Sequence, residues 1–161
     1  MDALDQNITD AIDALGLTYE RITIDPAYAD TAAFCEHYGY PPENSGNTII
    51  VASKKEPKQY VACVVLATTQ LDVNRRVRKL MGVSRASFAT AEEMMELTGM
   101  QVGGVTPFTL PEGLPLYVDE RIMGLDWVIL GGGGRDTKIK IAPDVFTVLG
   151  AEVIADLGIE R

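Results

Sequence analysis

Two segments of this chain are built for the close approach of main chain. Residues 98–108, TGMQVGGVTPF, hold three glycines, one proline and no ionisable side chain. Residues 131–134 are four consecutive glycines. Surplus glycine lets a ligand approach the backbone and leaves N–H groups able to point at it. Amides arranged in that way hold a carbonyl oxygen as it gains charge, which is a large contribution to acyl transfer. Gly103, Gly104, Gly131 and Gly132 are therefore candidate catalytic positions acting through their N–H groups. Thr106, Pro107, Gly133, Gly134 and Arg135 flank them as candidate substrate contacts. Both phosphate-loop readings of the GGGG stretch fail on context. It lacks the lysine of a GxxxxGK[ST] loop, and RDTKIKI after it alternates like a strand instead of opening a helix. A plain hairpin turn is the competing reading, although such turns need one or two glycines, not four.

Side-chain chemistry is sparse. His37 is the only histidine, and Cys35 and Cys63 are the only cysteines. A zinc site would need a cluster of such ligands, so no metal and no cofactor is expected. No GxSxG elbow occurs. Cys35 and His37 are two residues apart in a helical stretch, so they do not share a helix face as a dyad would require. His37 reads as an ordinary helix residue, and the cysteines as reduced thiols of a cytoplasmic protein. No apolar run is long enough for a membrane span, and no basic segment precedes an apolar one as in a secretory signal.

The net charge is −9, against a simple nucleic-acid binder. Its distribution is uneven. Residues 54–85 carry eight basic and two acidic side chains, a net +6, which leaves −15 on the rest. Such a patch on an acidic body can dock a phosphate backbone while the remainder limits non-specific adhesion. Lys54, Lys55, Arg75, Arg76 and Lys79 are its candidate phosphate contacts; a solvated helix face is the plainer reading.

The elements that must position these residues can be read from periodicity. Helical spacing runs over 2–15 and stops at Gly16; ADTAAFCEHYG is a second helix. Asp72 caps a basic helix closed by Gly82, and Thr90 with Glu93 forms a capping box for the next. PDVFTVLG is a last short helix. Strands are predicted at LTYERITI, NTIIVA, YVACVVLA, SRASFA, LPLYVDE, DWVIL and TKIKI. YVACVVLA is apolar almost throughout, as a strand buried on both faces must be. Successive strands without intervening helices exclude regular βαβ winding. The fold class is α+β, a single domain over 1–161 with a mixed, curved sheet of about seven strands.

In this order, NTIIVA, QLDVNRRVRKLMG, TGMQVGGVTPF (with GxxxP as Gly103 to Pro107), LYVDE, GGGGRD and VFTVLGAEVIADL resemble the YbaK family of aminoacyl-tRNA editing proteins, relatives of the insertion domain of bacterial prolyl-tRNA synthetase. The resemblance implies a barrel-like α/β fold. It also implies hydrolysis in trans of the ester joining a wrong small amino acid to a tRNA, such as a proline tRNA. Aminoacylated tRNA, or a synthetase, is the implied partner. The substrate's ribose hydroxyl would activate a water while backbone amides hold the carbonyl. Family members commonly open the NTIIVA-like strand with a lysine; here it is Asn47, the expected catalytic side chain, with Thr48 beside it as a substrate contact. A family tyrosine falls on Ile22 and a serine on Gly131. A fold retained without catalysis, as a binding module for tRNA, an aminoacyl compound or a synthetase, is the alternative.

Overall fold

A computed structural model describes residues 3–100 and 104–160. Gly103, a candidate oxyanion donor, lies outside the described residues.

The chain runs α1 (Ala3–Ala14), β1 (Tyr19–Thr23), α2 (Thr31–Tyr38), β2 (Gly46–Ser53), β3 (Tyr60–Leu66) and β4 (Thr69–Leu71). A wide helical turn, Val73–Val77, leads into α3 (Arg78–Met81). Then come β5 (Ala86–Phe88), α4 (Ala91–Thr98), β6 (Leu116–Asp119), α5 (Glu120–Met123), β7 (Val128–Gly131) and β8 (Thr137–Ile141). The chain closes with α6 (Asp144–Val148), β9 (Glu152–Ile154) and β10 (Gly158–Glu160). The strands form three sheets, ordered β5-β2-β3-β6-β9, β1-β8-β7 and β10-β4. The expected α+β class holds. All seven predicted strands are present; β4, β9 and β10 are additional, and at three residues each they are too short for periodicity to reveal.

β3 is the centre of the molecule. It pairs antiparallel with β2 and parallel with β6. Its alternate residues serve two cores: Ala62, Val64 and Leu66 face one cluster, Val61, Cys63 and Val65 the other. That is why the strand reads as apolar throughout. The first cluster is closed by α1 (Ile8, Ile12) and by Leu130, Ile139 and Ile141 of the three-stranded sheet. The second is closed by Val73 and Val77, with Leu80 and Met81 packed against it. The basic helical segment thus covers one face of β2 and β3 with its apolar side. A third, smaller cluster holds α2 to β7 through Phe34, Cys35, Ile24 and Ile129.

Local signals behave as the residues dictate. Thr90 Oγ1 accepts from the Glu93 N–H and Glu93 accepts from the Thr90 N–H, a complete capping box. Asp72 accepts from the Arg75 N–H at 3.2 Å. Among the described residues no helix is long and apolar enough to cross a membrane.

Candidate functional site

A cavity of about 400 Å³ opens where four pieces of chain meet: the start of α2, the start of β2, the end of β7 and the start of β8. Asn47, Thr48 and Gly131 line it, as do Thr31, Val105 and Lys138. A parallel bridge between Ser45 and Ile129 seats the start of β2 beside β7. Gly46 is needed at that junction, because a Cβ there would lie 2.9 Å from Leu130 and 3.3 Å from Val64.

Asn47 is fixed by α2. Thr31 Oγ1 donates to Asn47 Oδ1 at 2.6 Å, which commits the amide's acceptor end and leaves Nδ2 as the donor end. Thr48, next along β2, carries a buried hydroxyl with no hydrogen-bond partner among the described residues. The Thr106 hydroxyl is in the same condition. Buried polar atoms are normally paired, so these two unanswered hydroxyls are unusual; both atoms are enclosed by protein and not open to the cavity. Thr106 and Pro107 are buried but do not line the cavity.

The two glycine segments come together, and their amides face one another. The Gly133 N–H donates to the Gly104 carbonyl at 2.6 Å, and the Gly132 N–H donates to the Thr137 carbonyl at 3.0 Å. A Cβ on Gly104 would sit 2.7 Å from the Gly133 oxygen; one on Gly131 would collide with the Val105 oxygen. At Gly133, φ is +97° and a Cβ would strike Ile8 of α1. The glycines therefore permit backbone to pack on backbone. The N–H groups of Gly132 and Gly133 are consumed there, which corrects the expectation for Gly132 as an oxyanion donor. Gly132, Gly133 and Gly134 do not line the cavity; Gly131 does. Arg135 stands over the start of α2, 3.9 Å from the Asp30 carboxylate.

Lys138 is the residue that sequence reasoning missed. It is 6% exposed, its Nζ donates to the Ala29 carbonyl at 2.7 Å, and it lies 5.5 Å above the Phe34 ring. Burial lowers its pKa from 10.5 to about 8, while Cys35 and Asp30 raise it and Arg135 lowers it further. Its cross-strand neighbours are Ile22 on β1 and Gly131 on β7, the two positions where a tyrosine and a serine were expected. The alternation of TKIKI shows only that Lys138 and Lys140 share a face; the cover supplied by α2 is non-local.

The remaining histidine, cysteine and buried carboxylate side chains do not line the cavity. His37 is exposed and stacks on Tyr28 at 3.7 Å. The Cys35 sulfur lies 3.4 Å from the Ser45 hydroxyl, and the Cys63 thiol is pushed up to about 12 by burial, so it is inert. Asp119 is fully buried and structural, accepting from Arg121 Nη1 at 2.9 Å and from the Gly158 N–H at 2.8 Å. Among the described residues no three metal-binding side chains cluster.

Strand alternation places Asn47 on the same face of β2 as Ile49 and Val51. Val51 belongs to the cluster closed by the basic segment, and Ile49 packs against it. The cavity and the basic segment are thus neighbours on one face, roughly 13 Å apart along β2 at about 3.3 Å per residue. Arg75 and Lys79 are exposed there, while Arg76 is half-buried and donates to the Ala155 carbonyl at 3.1 Å. Lys54 and Lys55 are exposed at the opposite end of β2.

With this geometry in place, similarity becomes informative. Residues 25–148 match the aminoacyl-tRNA editing domain. The chain belongs to that family. A proline--tRNA ligase from Paraburkholderia phymatum is 27% identical over 159 residues, which cover 86% of this chain and 28% of the ligase. The uncharacterized protein YwhH of Bacillus subtilis is 28% identical over 88 residues, 55% of each. The chain therefore spans only part of the curated relatives it matches. Among solved structures, hypothetical protein APE2540 superimposes with a TM-score of 0.84 at 28% identity, covering 94% of this chain and 98% of that one. A protein described as a candidate trans-editing enzyme for prolyl tRNA synthetase superimposes equally well, at 21% identity over 100% and 99% of the two chains, and shows the shared fold of this editing domain.

Proposed function

We propose that this editing domain hydrolyses, in trans, the ester that joins a wrong small amino acid to a tRNA, with proline tRNA the first candidate. One observation carries the reading. A cavity lined by Asn47, Thr48 and Gly131 shares a sheet face with an exposed basic segment, so one ligand can meet both. The aminoacyl end of the tRNA enters the cavity while phosphates lie along Arg75 and Lys79. The neighbouring ribose hydroxyl of the substrate activates a water, which adds to the ester carbonyl and expels the ribose oxygen. Asn47 Nδ2, held by Thr31, donates to the substrate, and Thr48 beside it on the cavity wall is a second contact. Asp30 at the mouth suits the α-ammonium group. The membership of the family and the likeness to a proline--tRNA ligase support this assignment.

The test is a deacylation panel on tRNAs mischarged with cysteine, alanine and serine. Ester loss above the spontaneous rate is expected on at least one. No turnover on any, with salt-sensitive tRNA binding retained, would instead establish a binding module. Asn47→Lys is expected to alter turnover. Replacing Arg75, Arg76 and Lys79 by glutamate is expected to weaken tRNA binding at low salt; unchanged binding would remove the basic segment from the reading.

A further inference from the structure

Another cavity, of about 280 Å³, lies between β5, the edge strand of the five-stranded sheet, and the β4–β10 pair. Leu71, Val73 and Ala86, all buried, give it an apolar backing. Phe88 and Ile159 line it too, yet they are 56% and 51% exposed. Among the described residues, Phe88 is the one aromatic side chain in the set of exposed large hydrophobics. Gln70 and Asn74, both exposed, line the same space with side-chain amides, each able to donate and to accept. Asp72 adds a carboxylate, whose Oδ1 accepts from the Arg75 N–H.

This lining selects a ligand. An aliphatic chain would make no use of the amides, and a sugar would make little use of an exposed aromatic face. A flat heteroaromatic ring uses both: its faces stack on apolar and aromatic side chains, and its edge exchanges hydrogen bonds with the amides. The cavity is smaller than the roughly 300–1,000 Å³ of a site for a drug-sized ligand, so it suits a single ring system.

Position ties the cavity to the site at Asn47. Phe88 pairs with Val51 of β2 in antiparallel register, so the two side chains share a face of the sheet. It is the face of Asn47 and Ile49, and the one that the basic segment covers. Phe88 therefore stands about 13 Å along β2 from Asn47 and one strand spacing of about 4.8 Å to the side, roughly 14 Å in all. A stacked strand advances about 3.4 Å per nucleotide, so roughly four steps span that interval. Arg75 follows Asn74 and Arg85 precedes Ala86, both exposed, so positive charge adjoins two of the elements that form the cavity and complements a phosphate backbone.

We infer that this cavity is a nucleobase subsite, in which an unpaired base of the bound RNA, about four nucleotides back from the end seated at Asn47, stacks on Phe88. The inference rests on the proposed function for the RNA and for the end that enters at Asn47.

The experiment compares wild type with Phe88→Ala, Phe88→Tyr, Arg75→Glu and a double variant, Gln70→Ala with Asn74→Ala. Thermal melting first checks folding. Binding of a single-stranded hexanucleotide RNA and of intact tRNA is measured by fluorescence anisotropy at low and moderate salt, and deacylation is followed on the same samples. Phe88→Ala is expected to lose at least fivefold in RNA affinity, by the same factor at both salt concentrations, while Phe88→Tyr keeps it, because stacking needs the ring and not a charge. Arg75→Glu is expected to flatten the salt dependence instead. In deacylation, Phe88→Ala should raise KM and leave kcat unchanged. A folded Phe88→Ala variant that binds both RNAs as wild type does overturns the inference, leaves ester hydrolysis intact and gives the groove to a protein partner. If Phe88→Ala does not fold, the double variant at the exposed positions decides by the same loss of affinity. If wild type deacylates nothing, hydrolysis fails while the RNA measurements still decide: a loss in Phe88→Ala with retention in Phe88→Tyr sustains the subsite, and absence of RNA binding by wild type overturns it.

Discussion

The glycine junction and the cavity beside it are built from opposite materials. At the junction, Gly104 and Gly131 to Gly133 bring two backbones within hydrogen-bonding distance, and their polar groups satisfy each other. In the cavity, Asn47 and Lys138 bring polar side chains, Asn47 held by the Thr31 hydroxyl and Lys138 by the Ala29 carbonyl. The junction holds a wall in place; the cavity leaves polar side chains around open space. Surplus glycine therefore marks closeness of main chain to something, and here that partner is another stretch of the same chain.

The contrast predicts effects on different observables. Gly133→Ala is expected to act on stability. The left-handed φ and the collision with Ile8 combine backbone strain with overpacking, about 2–4 kcal/mol in total. Thermal melting would show a fall of roughly 5–15 °C. A full-activity protein with an unchanged melting temperature would break the contrast at its structural end.

Asn47→Ala is expected to act on function. Loss of a hydrogen bond to a charged or charge-developing group costs about 1.5–3 kcal/mol, or roughly 10- to 100-fold in kcat/KM on the best substrate of the panel. Its melting temperature should stay close to wild type, since Asn47 is only half-buried.

Lys138→Met probes both observables at once. At neutral pH the variant is expected to be more stable than wild type by about 1–3 kcal/mol, because the buried charge is gone. From about 8 up to the ordinary lysine value, the folded wild type binds fewer protons than the unfolded chain, so its stability rises with pH. The advantage of the methionine variant should therefore shrink across that window. Denaturation at pH 7 and pH 10 measures it; a constant gap would show that the folded lysine keeps the ordinary lysine pKa.

Thr31→Val should give the smallest change, about three- to tenfold in kcat/KM, by freeing the Asn47 amide to rotate; Thr31→Ser should restore it. Equal loss in both variants would place the effect in the methyl group and not in the hydroxyl.

Local chemistry was legible and long-range contact was not. Thr90 and Glu93 announce a helix start because the capping box closes within four residues. The apolar run of β3 announces a central strand because both its faces are buried. Asn47, Thr48 and Gly131, far apart in sequence, line one cavity, and that meeting is set by long-range packing. The use of Gly133 was hidden because it depends on Ile8, at the other end of the chain. Lys138 looked like the outward half of an alternating strand, and only the packing of Phe34 and Ala29 over it turns an apparent surface lysine into a buried one.

The reach of β2 sets a length scale for whatever docks. Asn47 is the second residue of the strand and Lys54 follows its last, about 23 Å away at about 3.3 Å per residue. A stacked nucleic acid advances about 3.4 Å per nucleotide, so this interval corresponds to roughly seven steps. An unpaired tip of three or four nucleotides seated at Asn47 would end well short of Lys54 and Lys55. Those lysines would meet the duplex behind the tip, and a minimal acceptor-end fragment would be blind to their removal while an intact acceptor stem would not.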